Sequence, residues 1–397
     1  MCGLKRLPAL LIVIVFCAVL SVCPTSIAQQ VKSQTDWPES ILKRVSESKN
    51  KEQLQQLLDG SDSEIRTAVQ FVIENMPKRD LDSMTAEFLL NDIRLANKIR
   101  KDSPWKISDE LFLNDVLPYA NVDETREPWR KKLNEICAPM IADCKTPGEA
   151  AHRINQKMFK EIKVKYSRKR KKANQSPSES MEQGLASCTG LSILLVDACR
   201  SVGVPARLAG IPSWPNKRGN HTWVEVWDQG TWHFAGAAEA SKNGLNDAWF
   251  QKDAALAQKD SKRHAIYAVS FGKTETVFPM VWSRDRQNPV YAVNVTDRYT
   301  KDSKSEATEK SAEAIAVFVR VWNADKSERV VKSVQVKNAD GWSDDGKSRN
   351  NEADMNDMLR FELKKNQTYE IRVGDGKWQP LKTTDEDQQT IDIKTEI

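Results

Sequence analysis

Two side chains in this 397-residue sequence combine a reactive type with a setting that suits covalent chemistry. Cys188 lies in Ser187-Cys188-Thr189-Gly190, and Leu191, Leu194, Leu195, Ala198 and Val202 then recur on one helical face. Gly203 and Pro205 end that helix. A cysteine in a first helical turn meets unpaired backbone N–H groups and the positive end of the helix dipole, which favour thiolate over thiol. The Cys188 backbone N–H is also a natural donor to a developing oxyanion, and Gly190 keeps the approach open. His221, 33 residues on, opens the alternating stretch 220–234, whose turn at Asp228-Gln229-Gly230 predicts a β-hairpin. On that pleat His221, Trp223, Glu225 and Trp227 share one face, while Thr222, Val224 and Val226 share the other. An imidazole held at the edge of a buried strand is a suitable general base for a thiol. Glu225 lies about 13 Å along the strand from His221, too far to orient the ring.

Cys188 within ASCTGLSILLVDACRSVGVPAR, followed by His221 within GNHTWVEVWDQGTWHF, resembles the transglutaminase-like superfamily over about residues 150–250. The resemblance implies a papain-like core in which a helix carrying the cysteine packs on a sheet carrying the histidine and an acid. Cys188 is then the nucleophile and His221 the base of an acyl transfer from protein or peptide amides, to water or to an amine. One departure stands out. The family places an Asp on the return strand, but Trp232 is followed here by His233, Phe234, Ala235 and Gly236. The nearest acid, Glu239, is expected to orient His221 instead. Gln183, five residues before Cys188, is the candidate side-chain oxyanion donor, and Trp214 and Trp223 are candidates for a groove wall.

No cofactor is implied, and no His, Cys or carboxylate group shows the spacing of a metal site. Two functions stay open. One is an exported thiol-dependent amide hydrolase or acyl transferase of protease, deamidase or transglutaminase type. The other is a catalytically degenerate module that binds peptide or glycan. A cell-wall amidase is a variant of the first.

The elements that must position this pair fall into an α+β arrangement. Lys5 and Arg6, the apolar run 7–22 and Ser26-Ile27-Ala28 have the order of a signal peptide cut after residue 28, which predicts export to the periplasm, cell surface or medium. Val22 stands where a lipoprotein signal needs a small residue, which speaks against a lipid anchor at Cys23. Residues 29–149 read as helical, with Ile41, Leu42, Val45, Leu54, Leu57, Leu58, Phe88, Leu89, Ile93 and Leu95 at three- and four-residue spacing. The core is expected over 150–284, a linker near 284–289, and an antiparallel β-sandwich over 290–397 built from segments 291–297, 314–322, 329–337, 358–364 and 368–375. Five consecutive cations, Arg168 to Lys172, read as a solvated loop. Cys137 and Cys144 are either bridged or two buried thiols. The net charge of +5 on 60 basic and 55 acidic residues is too small for a nucleic-acid binder that relies on a basic field. The sequence gives no oligomeric state, although export makes association with the cell envelope one expectation.

Overall fold

The computed structural model describes residues 37–217, 219–280, 288–300, 313–386 and 388–395. The expected signal peptide, Cys23 and most of the expected linker lie outside the described residues. Among the described residues no helix is long and apolar enough to cross a membrane.

Five helices of seven residues or more build the N-terminal region among the described residues, α1 (Glu39–Ser46), α2 (Lys51–Asp59), α3 (Arg66–Asn75), α4 (Ala86–Asp102) and α5 (Asp109–Asp115), with a single helical turn, Lys78–Leu81, between α3 and α4. Ile41, Val45, Leu54, Leu57, Leu58, Leu89 and Ile93 enter one hydrophobic cluster, as their spacing requires. Leu42 turns outward, 43% exposed, so the apolar stripe of α1 is narrower than the sequence suggests. A buried ion pair joins this region to α6 (Trp129–Cys137). Arg130 donates from Nε and Nη2 to the two carboxylate oxygens of Asp92, both at 2.9 Å, and to the carbonyls of Val116 and Leu117. With its donors satisfied in this way, the guanidinium tolerates burial.

The second unit contains α7 (Pro147–Glu161), α8 (Pro177–Gln183) and α9 (Cys188–Arg200), with a short parallel pair, β1 (Lys165–Tyr166) and β2 (Leu185–Ala186). Its six-stranded antiparallel sheet is made of β3 (Ala206–Ile211), β4 (His221–Asp228), β5 (Thr231–Ala235), β6 (Tyr267–Val269), β7 (Thr276–Val277) and β8 (Tyr291–Asn294), in the order β5-β4-β3-β6-β8-β7. Every residue of α9 after Cys188 is buried. Leu194 and Ala198 of α9 share a core with Leu208, Val224 and Val226 of the sheet. The hairpin β4–β5 forms as its alternation predicts. Segment 291–294, grouped by sequence with the C-terminal strands, instead pairs with β6 and β7 in this sheet. Alternation identifies a strand but not its partner. Cys137 and Cys144 are buried and unbridged, and burial pushes the Cys137 thiol up to about 12.

The C-terminal strands are β9 (Ala314–Trp322), β10 (Ser333–Lys337), β11 (Ser343–Lys347), β12 (Leu359–Lys364), β13 (Thr368–Val373), β14 (Gln379–Lys382) and β15 (Gln388–Lys394). They form a four-stranded sheet, β11-β10-β13-β14, and a three-stranded one, β12-β9-β15, whose inward residues Val317, Val319, Val334, Val336, Phe361 and Ile371 make one core. Pairings are antiparallel except β9 with β15, which run parallel. The connection 348–358, between β11 and β12, reaches back to the second unit.

Candidate active site

Cys188 occupies the first position of α9 because Ser187 caps that helix. The Ser187 hydroxyl accepts from the Gly190 N–H at 3.0 Å and donates to the Ala173 carbonyl at 2.5 Å. Thr189 donates to the Thr222 hydroxyl and Ser192 to the Thr222 carbonyl, each at 3.1 Å, so the first helical turn is tied to the start of β4 beside His221. A side chain at Gly190 would press on Ala186. Its small size therefore serves close packing of α9 on β2.

His221 is 3% exposed and boxed by aromatic rings: Trp249 at 4.8 Å between centroids, Phe250 at 5.0 Å, Trp223 at 5.9 Å and Trp214 at 6.3 Å. Its Nδ1 lies 3.5 Å from Oδ2 of Asp354, on the connection between β11 and β12. Neither ring nitrogen and not this carboxylate oxygen makes a hydrogen bond among the described residues. The sulfur of Cys188, one imidazole nitrogen and one Asp354 oxygen all lie within 4.8 Å of one another. Among the described residues these three are also the one His, Cys and acid group compact enough to chelate a metal ion, which no sequence spacing reveals.

Asp354 escaped the sequence reading because it lies 133 residues beyond His221, in a polar loop of a different unit. The loop is held firmly. The second oxygen of Asp354 accepts from the Asn356 N–H at 2.8 Å and its side-chain amide at 2.9 Å, and that amide also donates to the Asn220 carbonyl at 2.7 Å. Lys217 donates to the Asn356 carbonyl at 2.8 Å, and the Arg329 guanidinium donates to the carbonyls of Ala353, Asp354 and Asp357. Burial would raise the Asp354 carboxyl, but the His221 charge and the Asn356 hydrogen bonds hold it below its ordinary value.

The other expected residues have different surroundings. Glu239 accepts from Trp249 Nε1 at 2.8 Å rather than from the imidazole. Burial and the Asp354 anion raise its carboxyl to about 8. Gln183 uses its amide within the basic loop, accepting from the Lys171 N–H and Gln175 and donating to the Lys169 carbonyl. Trp214 and Trp223 are buried behind His221, and Trp223 donates to the Tyr299 hydroxyl at 2.8 Å. The buried Glu225 accepts instead from the buried Arg207, the exposed Arg298 and the half-buried Tyr299. Cys188 keeps part of its surface open, yet burial and the Asp354 anion push its thiol above the ordinary range. The Thr222 N–H and Thr189 hydroxyl act in the opposite sense. The helix-start effect expected from sequence is thus outweighed by desolvation.

Residues 134–237 match the family model described as the transglutaminase-like superfamily. This segment is a transglutaminase-like domain. It runs from α6 to just past β5, and so contains Cys188 and His221 but not Glu239 or Asp354. No curated protein matches the chain. Among solved structures, a "putative cysteine protease" from Cytophaga hutchinsonii is similar at 16% identity and a TM-score of 0.24, over 41% of this chain and 58% of that one. Red sea bream transglutaminase is similar at 7% identity and a TM-score of 0.33, over 72% of this chain and 65% of that one. The chain therefore spans less than two thirds of the length of either.

Beside the transglutaminase-like cysteine lies a cleft of about 500 Å³. Phe159, Val164, Tyr166, Leu191 and Ala237 form its buried floor, and Lys160, Lys163, Lys165, Glu239 and Glu352 supply its polar atoms. Cys188 is not itself in the lining, but Leu191 of the lining is one helical turn beyond it, and the Tyr166 hydroxyl of the lining accepts from the Met355 N–H, next to Asp354, at 3.3 Å.

Proposed function

We propose that the protein is an exported thiol enzyme that cleaves or transfers amide bonds of proteins or peptides, with Cys188 as nucleophile, His221 as base and Asp354 as the acid that orients the imidazole. The observation that carries this function is the convergence of their three reactive atoms within 4.8 Å, beside an open cleft. Export rests on the sequence of residues 1–28 alone.

The thiol is protonated at rest, so attack is coupled to proton transfer. His221 takes the proton as the sulfur adds to the amide carbon, and the anionic Asp354 stabilises the imidazolium. At the first helical position the Cys188 N–H has no carbonyl partner within the helix, which leaves it free to donate to the oxyanion. Collapse of the adduct breaks the C–N bond, and the imidazolium gives its proton to the departing amine. Water, deprotonated by His221, then attacks the thioester carbon, releasing the acid and restoring the thiol. An amine in place of water yields a new amide.

The experiment is labelling with a peptide electrophile, together with assay of amine or ammonia release from peptide mixtures. Stoichiometric labelling of Cys188 and turnover that vanishes in Cys188→Ala are expected. A degenerate binding module is the second reading, favoured by the unmade hydrogen bond between His221 and Asp354. Peptide binding without labelling or turnover would decide for it.

A further inference from the structure

We infer that the cleft beside Cys188 selects acidic peptides, with Lys160 and Lys163 recognising a substrate carboxylate near the scissile amide. The inference deepens the proposed function and rests on it for the identity of the occupant as a peptide.

The cleft has an apolar floor and an unbalanced rim. Lys165 is matched by Glu352 at 2.6 Å. Lys160 and Lys163 are exposed and make no ion pair or side-chain hydrogen bond among the described residues. The remaining acid of the lining, Glu239, is mostly protonated at neutral pH and does not cancel them. Outside the lining, Arg168 is a further exposed cation, which approaches Met355 of the Asp354 loop at 4.0 Å.

Lys163 also occupies an unusual backbone position. Its φ of 56° is left-handed, a conformation that glycine adopts more easily, and it directly follows Ile162, the C-cap residue of α7. A long cationic side chain is held there against local preference. The floor, in contrast, suits aliphatic peptide atoms, and the cleft volume accommodates a few residues rather than a folded partner. A nucleic acid would find too few cations here to hold its backbone.

The test separates binding from chemistry by using Cys188→Ala protein, full length. Short peptides that differ only in carrying Glu, Gln or Lys next to a central Gln are titrated by fluorescence anisotropy. The Glu peptide should bind about tenfold more tightly than the Gln peptide, and the advantage should shrink as salt rises. Lys160→Glu/Lys163→Glu should reverse the order, with unchanged thermal stability showing that the fold is intact. Equal affinities, no binding by any peptide, or a Glu preference that survives the double reversal each overturn the inference. An acyl probe with a neutral side chain is applied in parallel to the wild-type protein. Labelling of Cys188 by that probe, with no acidic preference in binding, leaves the proposed chemistry standing and removes only the specificity. Absence of labelling removes the chemistry itself.

Discussion

Asp354 stands 3.5 Å from the Nδ1 of His221 although the two belong to separately built units, one on the first residue of β4 and the other on a loop between C-terminal strands. Where the transglutaminase-like pattern puts an acid on the return strand, this chain brings one from about 120 residues further on. In the proposed mechanism the C-terminal unit then supplies one of the three reacting groups. Asp354→Asn should keep the loop contacts and the fold, yet lower kcat by roughly 10²–10⁴-fold. Steady-state kinetics with unchanged circular dichroism check this, and a loss under threefold would mean that Asp354 does not orient the base.

The loop that carries the acid docks against Gly219. That residue has φ 108°, and a Cβ there would overlap the Asn356 side-chain amide. Gly219→Ala should therefore displace Asn356 and, with it, Asp354, and lower stability by about 1–3 kcal/mol. Chemical denaturation and labelling rate are the readouts. Wild-type labelling of Cys188 in this variant would show that the loop docks by other contacts.

Glu239 gives a pH signature whose sign follows from its raised carboxyl. Its ordinary value is 4.5 and its folded value is about 8, so between these pH values the folded state holds more protons than the unfolded one. Stability contributed by this group is present below about pH 4.5 and is lost as pH rises through 8. Glu239→Gln should flatten the decline in melting temperature over that window. Wild-type turnover should also fall above about pH 8, where a second anion forms near Asp354 and Cys188 and raises the thiol further. A decline in melting temperature as steep in the variant as in the wild type would assign the pH dependence to other groups.

The triad's geometry has a consequence for metal ions. A thiolate, an imidazole and a carboxylate within 4.8 Å make three of the four ligands that zinc takes. Micromolar Zn²⁺ should protect Cys188 from alkylation reversibly, with a chelator restoring the rate, and Asp354→Asn should weaken the protection. Unaltered alkylation kinetics would exclude chelation by this group.

Much of this protein was legible in the chain itself. The helix beginning at Cys188 and the hairpin beginning at His221 follow from local periodicity, capping and turn residues, and those forces act over neighbouring positions. The same holds for the buried face of α2, for Leu89 and Ile93 of α4 (Phe88 and Leu95 stay half-exposed), and for strands β9, β12 and β13. Tertiary structure decided which strands pair, so that β8 joined the second unit's sheet. It also decided how solvent is excluded around Cys188, which turned the expected thiolate into a raised thiol. Above all, it decided which carboxylate meets His221. Glu239 is near in sequence but accepts from Trp249, while Asp354 is held by contacts of Asn356 and Arg329 that join residues far apart in the chain. Such contacts depend on packed surfaces and leave no local pattern.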